Sequence, residues 1–202
     1  MFNLAVLVSG RGSNLQSIID KLHLKDKNIE IKCVICNKKD AFALKRAKKH
    51  GIKVYFIDER RYNDKKEYDK KIIKVITNNE IDLIILAGYM KVLTPTFVKK
   101  FKNKIVNIHP SLLPAFPGLN AQKQALDYGV KVSGCTVHFV DEGVDTGPII
   151  KQKAVEVKSD DTEKSLAKRI LNYEHQILPE VIELISKKKV VLKKDNTVRI
   201  KE

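Results

Sequence analysis

Apolar residues recur with two different spacings along the first half of the chain. Five apolar runs indicate strands that are largely buried, at residues 3–9, 29–36, 53–58, 82–88 and 104–110. Between these runs, apolar positions three and four residues apart predict amphipathic helices at residues 14–22, 40–51, 63–79 and 94–101. This alternation is typical of an α/β fold, so we predict an open, mostly parallel, Rossmann-like sheet with helices on both faces.

The alternation ends after Pro110. A loop rich in proline and glycine leads there to a predicted helix at 121–129. Two strand-like runs follow within residues 132–157, and the loop that joins them makes them candidates for antiparallel pairing. A long amphipathic helix is then predicted at 160–187. The second half of the chain therefore differs in topology from the first.

Two short strand-like runs near the end of the chain predict a hairpin over residues 190–200. The sequence contains no internal repeat, no low-complexity linker and no marked shift in composition. We therefore expect residues 1–202 to form a single domain with a first half at about 1–100 and a second half at about 101–202.

The composition is that of a globular protein with a strong basic excess. Hydrophobic residues make up 43% and charged residues 31% of the chain, and the net charge is +15. No stretch reaches the roughly 18 apolar residues of a membrane span, and the N-terminus lacks the basic region of a secretory signal, so we expect a cytoplasmic protein without a membrane partner.

The basic excess leaves one alternative open. The lysines are spread over the polar faces of the predicted helices, which favours a solvated surface over a nucleic-acid interface. The arginine forks and interleaved aromatic residues that bind nucleic acids are not evident. A basic, non-catalytic nucleic-acid-binding protein is nevertheless a rival interpretation, which a steep salt dependence of polynucleotide affinity would favour.

The cysteines and histidines give no metal-site pattern. Cys33 and Cys36 form a CxxC motif inside an apparent strand, where positions i and i+3 point to opposite faces, so we expect buried core thiols. Cys135 also lies in a strand-like run. The histidines are scattered without ligand spacing, and we predict no bound metal.

A glycine-rich turn, SGRGSN at residues 9–14, follows the first predicted strand and opens a helix. Its backbone N–H groups suit a phosphate. Leu15 stands where a dinucleotide fingerprint has its third glycine, and the second strand ends in Cys36-Asn37-Lys38, with no acidic residue there to bind a ribose. The turn therefore indicates a monophosphate site, and the alternative is a tight turn without a ligand.

Asn107 and His109 are two residues apart at the end of the fifth predicted strand, so their side chains share a face. An imidazole can transfer a proton near neutral pH, and a fixed amide can donate to a developing oxyanion. Asp145 is the candidate carboxylate that would raise the pKa of His109 and orient its ring. The three residues suit acyl transfer without a covalent enzyme intermediate; the alternative is a strand end with a structural histidine.

Four blocks, in order, resemble those of the glycinamide ribonucleotide formyltransferases. They are SGxGSN after the first strand, LAGYMKVL at the fourth, NIHPSLLPAFPG at the fifth and HFVDEGVDTGPII further on. The resemblance extends from about residue 3 to residue 180. It implies a formyltransferase fold and transfer of the formyl group of 10-formyltetrahydrofolate, as co-substrate, to the amine of glycinamide ribonucleotide in purine biosynthesis. Another folate-dependent formyltransferase or a formyltetrahydrofolate hydrolase is the nearest alternative.

The resemblance also implies roles for individual residues. Asn107 would polarise the formyl oxygen, and His109 would stabilise the tetrahedral intermediate and relay its proton. Asp145 would pair with His109 and organise a proton-carrying water. The substrate would be held at its phosphate and at its ribose hydroxyls by Gly12, Ser13, Asn14 and Glu174.

Two further segments would hold the pterin ring of the folate in this family. They are Met90, Lys91, Val92 and Leu93, and the loop that begins with Val140, Asp141 and Glu142. We would expect arginine more often than lysine at position 91. Because an arginine fork and a lysine point charge differ in geometry, contacts to the folate tail are expected to be weaker or rearranged.

Overall fold

The computed structural model describes residues 1–201, which cluster into two compact units. The first is Met1–Val106 and the second begins at Asn107. The chain passes from one unit to the other within a strand, Ile105–His109. The predicted single domain with halves near residue 100 stays a prediction.

The first unit contains a four-stranded parallel sheet. Its strands are β1 (Phe2–Val8), β2 (Ile29–Cys36), β3 (Lys53–Phe56) and β4 (Leu83–Leu86). They lie in the order β3-β2-β1-β4, and each neighbouring pair is parallel. The central residues of β1 are fully buried, as the continuous apolar runs predicted.

Four helices connect or follow these strands. They are α1 (Ser13–Ile18, continued by a π-helical turn at Ile19–His23), α2 (Phe42–Lys49), α3 (Lys65–Asn78) and α4 (Pro95–Lys100). A short 3₁₀ turn, Glu59–Arg61, precedes α3. Thr94 caps α4 by accepting a hydrogen bond from the Phe97 N–H, and Pro95 occupies the first turn, where a missing N–H costs little. The predicted strand–helix alternation is confirmed.

The second unit contains the end of β5 (Ile105–His109), followed by α5 (Ala121–Tyr128), β6 (Val132–Phe139) and β7 (Ile149–Glu156). Strand β6 lies between β5 and β7, and β6 and β7 pair antiparallel with a shift in register between Val137 and His138. The long helix is α6 (Glu163–Ser186), and β8 (Val190–Leu192) and β9 (Val198–Ile200) form the closing hairpin. The antiparallel pair and the hairpin were both predicted.

The thiols of Cys33, Cys36 and Cys135 are free and buried. Burial raises the pKa of Cys33 and of Cys135 to about 12, so both remain protonated thiols near neutral pH. The prediction of core cysteines is confirmed. Across residues 1–201, no helix combines the length and the apolar content that crossing a membrane requires.

Candidate active site

The backbone of the turn between β1 and α1 accepts hydrogen bonds from residues of α2. The Gly10 carbonyl accepts a hydrogen bond from the Ala43 N–H at 3.1 Å, and the Arg11 carbonyl accepts one from Arg46 Nε at 3.0 Å. Gly12 has a φ of +70°, and a Cβ atom placed there would lie 2.6 Å from the Cβ of Ala43. The turn therefore requires glycine at position 12 both for its backbone conformation and for the close approach of α2.

Gly12, Ser13 and Asn14 occupy the start of α1, with Gly12 as its N-cap. The first N–H groups of a helix have no partner within the helix, so this geometry fits the predicted use of backbone donors. The turn borders an open cleft of about 750 Å³ in the first unit, which is lined by Ser9, Arg11 and Lys91 among others. The cleft is lined by cationic side chains and also by the carboxylates of Asp40, Asp58 and Glu59.

The three residues predicted to carry the chemistry meet in the second unit. Asn107 Nδ2 donates to Asp145 Oδ1 at 3.2 Å, and His109 Nδ1 lies 3.2 Å from Asp145 Oδ2. The Gly118 N–H also donates to Asp145 Oδ2, at 2.9 Å. The side chain of Asp145 is thus held by an amide, an imidazole and a backbone N–H, although the residue lies 36 or more positions away along the chain from the pair on β5.

His138 is a fourth member of the cluster. Its Nδ1 lies 2.8 Å from the Phe139 carbonyl, which can only accept, so Nδ1 carries the proton. Its Nε2 then accepts from Asn107 Nδ2, at 3.2 Å. Both hydrogens of the Asn107 amide are therefore engaged, one by His138 and one by Asp145. The register shift in β6 beside His138 could not be read from the sequence.

His109 is buried between two acceptors. Its Nε2 lies 2.8 Å from the Phe116 carbonyl, while Nδ1 faces Asp145. Burial lowers the pKa of His109 by more than the Phe116 carbonyl and Asp145 raise it, and His138 lowers it further. Asp145 therefore acts on the pKa of His109 in the predicted direction. The net pKa is nevertheless below the ordinary value, because the effect of burial is larger than that of the carboxylate.

The pKa of the Asp145 carboxyl group is also set by burial and by neighbouring groups, but here the neighbouring groups have the larger effect. Burial alone would raise the pKa of Asp145, but the protonated form of His138, whose Nε2 lies 3.6 Å from Oδ1, the Gly118 N–H and the neighbouring His109 bring it below its ordinary value. Asp145 has a φ of +55°. A Cβ on the nearby Gly147 would lie 1.9 Å from the Phe139 carbonyl, so this loop needs glycine there to reach its conformation.

The segment predicted to contact the pterin lies in the first unit. Met90 and Val92 expose 59% and 54% of their surface, and Leu93 is buried. The Met90 N–H donates to Ser9 Oγ at 2.8 Å, which ties the segment to the end of β1. Lys91 forms an ion pair with Glu59.

The remaining predicted residues lie in the second unit. Val140 and Asp141 are partly exposed and Glu142 is exposed. Asp141 Oδ1 accepts from Thr146 Oγ1 at 2.7 Å and thereby braces the loop that carries Asp145. Glu174 is buried in α6 with 7% exposure.

The described residues contain no candidate metal-binding cluster. Within residues 1–201, no group of three or more His, Cys, Asp and Glu side chains has a geometry that could hold a metal ion.

Comparison with known proteins gives one consistent result. The family model described as "Formyl transferase" matches residues 2–182. The phosphoribosylglycinamide formyltransferase of Bacillus subtilis is 42% identical over 182 residues, which are 90% of this chain and 93% of that protein. The trifunctional purine biosynthetic protein adenosine-3 of Homo sapiens is 46% identical over 90% of this chain. This chain spans only 18% of that relative's length.

Solved structures agree with these matches. The glycinamide ribonucleotide transformylase 1 of Symbiobacterium toebii superposes with a TM-score of 0.97 at 44% identity, covering 100% of this chain and 95% of that one. The phosphoribosylglycinamide formyltransferase of Anaplasma phagocytophilum gives a TM-score of 0.92 at 41% identity, with the same coverage. The predicted fold class is thereby confirmed, and the chain belongs to the formyl transferase family, among the phosphoribosylglycinamide formyltransferases.

Proposed function

We propose that this chain transfers the formyl group of 10-formyltetrahydrofolate to the amine of glycinamide ribonucleotide, as part of purine biosynthesis. The observation that carries the proposal is the cluster of Asn107, His109 and Asp145, in which the Asp145 carboxylate lies 3.2 Å from both the Asn107 amide and the His109 ring. The family membership supports the same reaction.

The chemistry follows from the ionisation states of the cluster. The substrate amine attacks the formyl carbon in its neutral form, and a tetrahedral intermediate forms with negative charge on the former carbonyl oxygen. The amide of Asn107 stabilises this charge by exchanging one of its two internal hydrogen bonds for one to the oxygen. Its stabilisation is then greater in the intermediate than in the substrate, which is the condition for catalysis.

A proton must also leave the attacking nitrogen and reach the folate nitrogen when the bond between that nitrogen and the formyl carbon breaks. His109 has a lowered pKa and so is largely neutral at neutral pH, which lets it accept a proton. Asp145 has a lowered pKa and remains a carboxylate, which stabilises the imidazolium once it forms. The two groups together handle the proton, through an intervening water where the distance requires one.

Binding is assigned to other groups. Gly12, Ser13 and Asn14 hold the substrate phosphate through backbone and side-chain donors, and Glu174 holds the ribose hydroxyls. The exposed Met90 and Val92 offer apolar surface to the pterin, as do backbone groups from Val140 to Glu142. We expect the reaction to take place in the cytoplasm.

The test is a spectroscopic formyl-transfer assay with a 10-formyl folate analogue, run with and without glycinamide ribonucleotide. Turnover that depends on the ribonucleotide supports the proposal. Equal consumption of the folate without ribonucleotide would indicate a hydrolase. No turnover by folded protein with both ligands present would contradict the proposed function, and the salt dependence of polynucleotide binding would then be measured.

A further inference from the structure

The loop from Ser111 to Gly118 presents two backbone groups to the cluster. Its Phe116 carbonyl lies 2.8 Å from His109 Nε2, and its Gly118 N–H lies 2.9 Å from Asp145 Oδ2. A carbonyl favours the protonated form of an imidazole, and an N–H favours the ionised form of a carboxyl. The loop therefore polarises the two side chains toward an imidazolium–carboxylate pair.

Backbone groups can act in this way only if the loop that carries them is held in place. Ser111, at the start of the loop, is fully buried. Its hydroxyl donates to the Ala115 carbonyl at 2.5 Å and lies 3.4 Å from the Phe116 carbonyl. The serine thus closes the loop on itself immediately beside the carbonyl that faces His109.

A second fastening lies on the other side of the loop. Gln124, on α5, donates from Nε2 to the Pro117 carbonyl at 3.2 Å and to the Leu119 carbonyl at 2.8 Å. These two carbonyls flank Gly118. The backbone groups that face His109 and Asp145 are consequently bracketed by one hydrogen-bonding side chain on each side.

We propose that Ser111 is a positioning residue for the reaction, because its hydroxyl fixes the loop so that the Phe116 carbonyl faces His109 and the Gly118 N–H faces Asp145. The inference rests on the proposed function, in which His109 and Asp145 handle the proton. Ser111 donates to loop carbonyls and acts on the chemistry only through the backbone.

Besides burial, three groups that face His109 affect its pKa. They are the Phe116 carbonyl from the loop, Asp145 from the loop after β6, and His138 from β6. Of these, the carbonyl and the carboxylate raise the pKa of His109, and His138 lowers it. Loosening the Ser111 loop weakens the Phe116 carbonyl contact, which raises the pKa of His109, and also relieves the burial that lowers it. Because these two effects oppose each other, the diagnostic result is a changed His109 titration together with a reduced kcat.

The experiment compares Ser111→Ala with Ser133→Ala. Ser133 is a matched control because it is also buried in the second unit, at 1% exposure, while its hydroxyl has no hydrogen-bond partner. His109 is titrated by NMR with labelled histidine, its signal being assigned by its loss in His109→Ala. We expect Ser111→Ala to change the pKa of His109 and to reduce kcat by about tenfold to a hundredfold. Ser133→Ala should change neither.

A purely structural role would lower the thermal stability of Ser111→Ala without moving the His109 titration. Equal His109 titration curves and equal kcat values in the two serine variants would overturn the proposal. If Ser111→Ala does not fold, Ser111→Cys replaces it, because a thiol is a weak hydrogen-bond donor of similar size, and Ser133→Cys is then the control. A His109 titration that differs between the two cysteine variants supports the proposal, and equal titration curves with equal kcat values overturn it.

The NMR titration needs no substrate. If the unmodified protein shows no formyl transfer, the proposed function fails, but the change in the His109 titration still decides whether Ser111 positions the loop. The two failures can therefore be told apart.

Discussion

The turn after β1 and the C-terminal end of β5 both lie at the end of a buried strand, yet they present different chemistry. The turn at Gly12 offers backbone groups, and its carbonyls are fastened by the Ala43 N–H and Arg46. The end of β5 offers side chains, Asn107 and His109, which meet Asp145. One region depends on the absence of a side chain, and the other depends on which side chains are present.

Because the two regions differ in this way, we expect mutations in the cluster and mutations in the turn to change different kinetic parameters. Changing a functional group in the cluster should reduce kcat, because Asn107, His109 and Asp145 act on charge that develops during the reaction. Adding a carbon atom to the turn should weaken substrate binding, because the backbone donors must stay in one geometry to bind a phosphate. The following predictions, in decreasing order of effect, test this separation.

Asp145→Asn should have the largest effect. It removes the charge that stabilises protonated His109, so we expect kcat to fall by about 10²- to 10⁴-fold, with a smaller change in KM for the ribonucleotide. The measurement is steady-state kinetics with both substrates. Asp127→Asn, on the exposed surface of α5, is the control and should behave like the unmodified protein. A kcat within threefold of the unmodified value would remove Asp145 from the mechanism.

Asn107→Ala should have the next largest effect. It removes the amide that stabilises the oxyanion and also leaves Asp145 and His138 without their shared donor. We expect kcat to fall by about 10²- to 10³-fold. Single-turnover kinetics would show whether the chemical step is slowed. The exposed Asn28→Ala is the control, and a defect in KM alone would assign Asn107 to binding instead.

Gly12→Ala should raise KM for the ribonucleotide by about tenfold or more, equivalent to about 1.4 kcal/mol of binding, and change kcat little. The added Cβ clashes with Ala43 and cannot relax the positive φ without moving the turn. Gly51→Ala is the control because Gly51 has the same φ of +70° but open space around it. Both variants should lose stability from backbone strain, by about 1–2 kcal/mol. An unchanged KM in folded Gly12→Ala would argue against a phosphate site at the turn.

The smallest effect concerns the titration of His109. Its pKa should be below 6.5 in the unmodified protein, and lower still in Asp145→Asn, because the carboxylate raises it. Since the folded pKa is below the unfolded one, His109 contributes stability that is complete above about pH 6.5 and is lost as the pH falls. NMR titration checks the order of the two midpoints. A higher midpoint in Asp145→Asn would reverse the assigned direction of the coupling.

The side chains of the cluster were easier to predict from sequence than the backbone groups that contact them. Asn107 and His109 share a face because strand side chains alternate, and this follows from spacing alone. Asp145 was chosen as their carboxylate, and its side chain does lie beside both. The Phe116 carbonyl and the Gly118 N–H carry no side-chain signature, so only the three-dimensional path of the loop revealed them.

The pKa of His109 shows what sequence could and could not predict. The neighbouring carboxylate was inferred from sequence, and Asp145 does raise the pKa of His109. The degree of burial around the imidazole depends on every element packed against it, so the larger effect, which lowers the pKa, could not be inferred.

The sequence by itself determined the alternation of strands and helices, the glycine at the β1–α1 turn and the residue types of the candidate cluster, because these depend on local spacing and side-chain chemistry. The tertiary structure decided which groups surround each ionisable side chain: the Phe116 carbonyl on His109, the Gly118 N–H on Asp145 and His138 on Asn107. Those contacts join residues far apart in sequence, and both desolvation and hydrogen bonding depend on distances that no local pattern encodes.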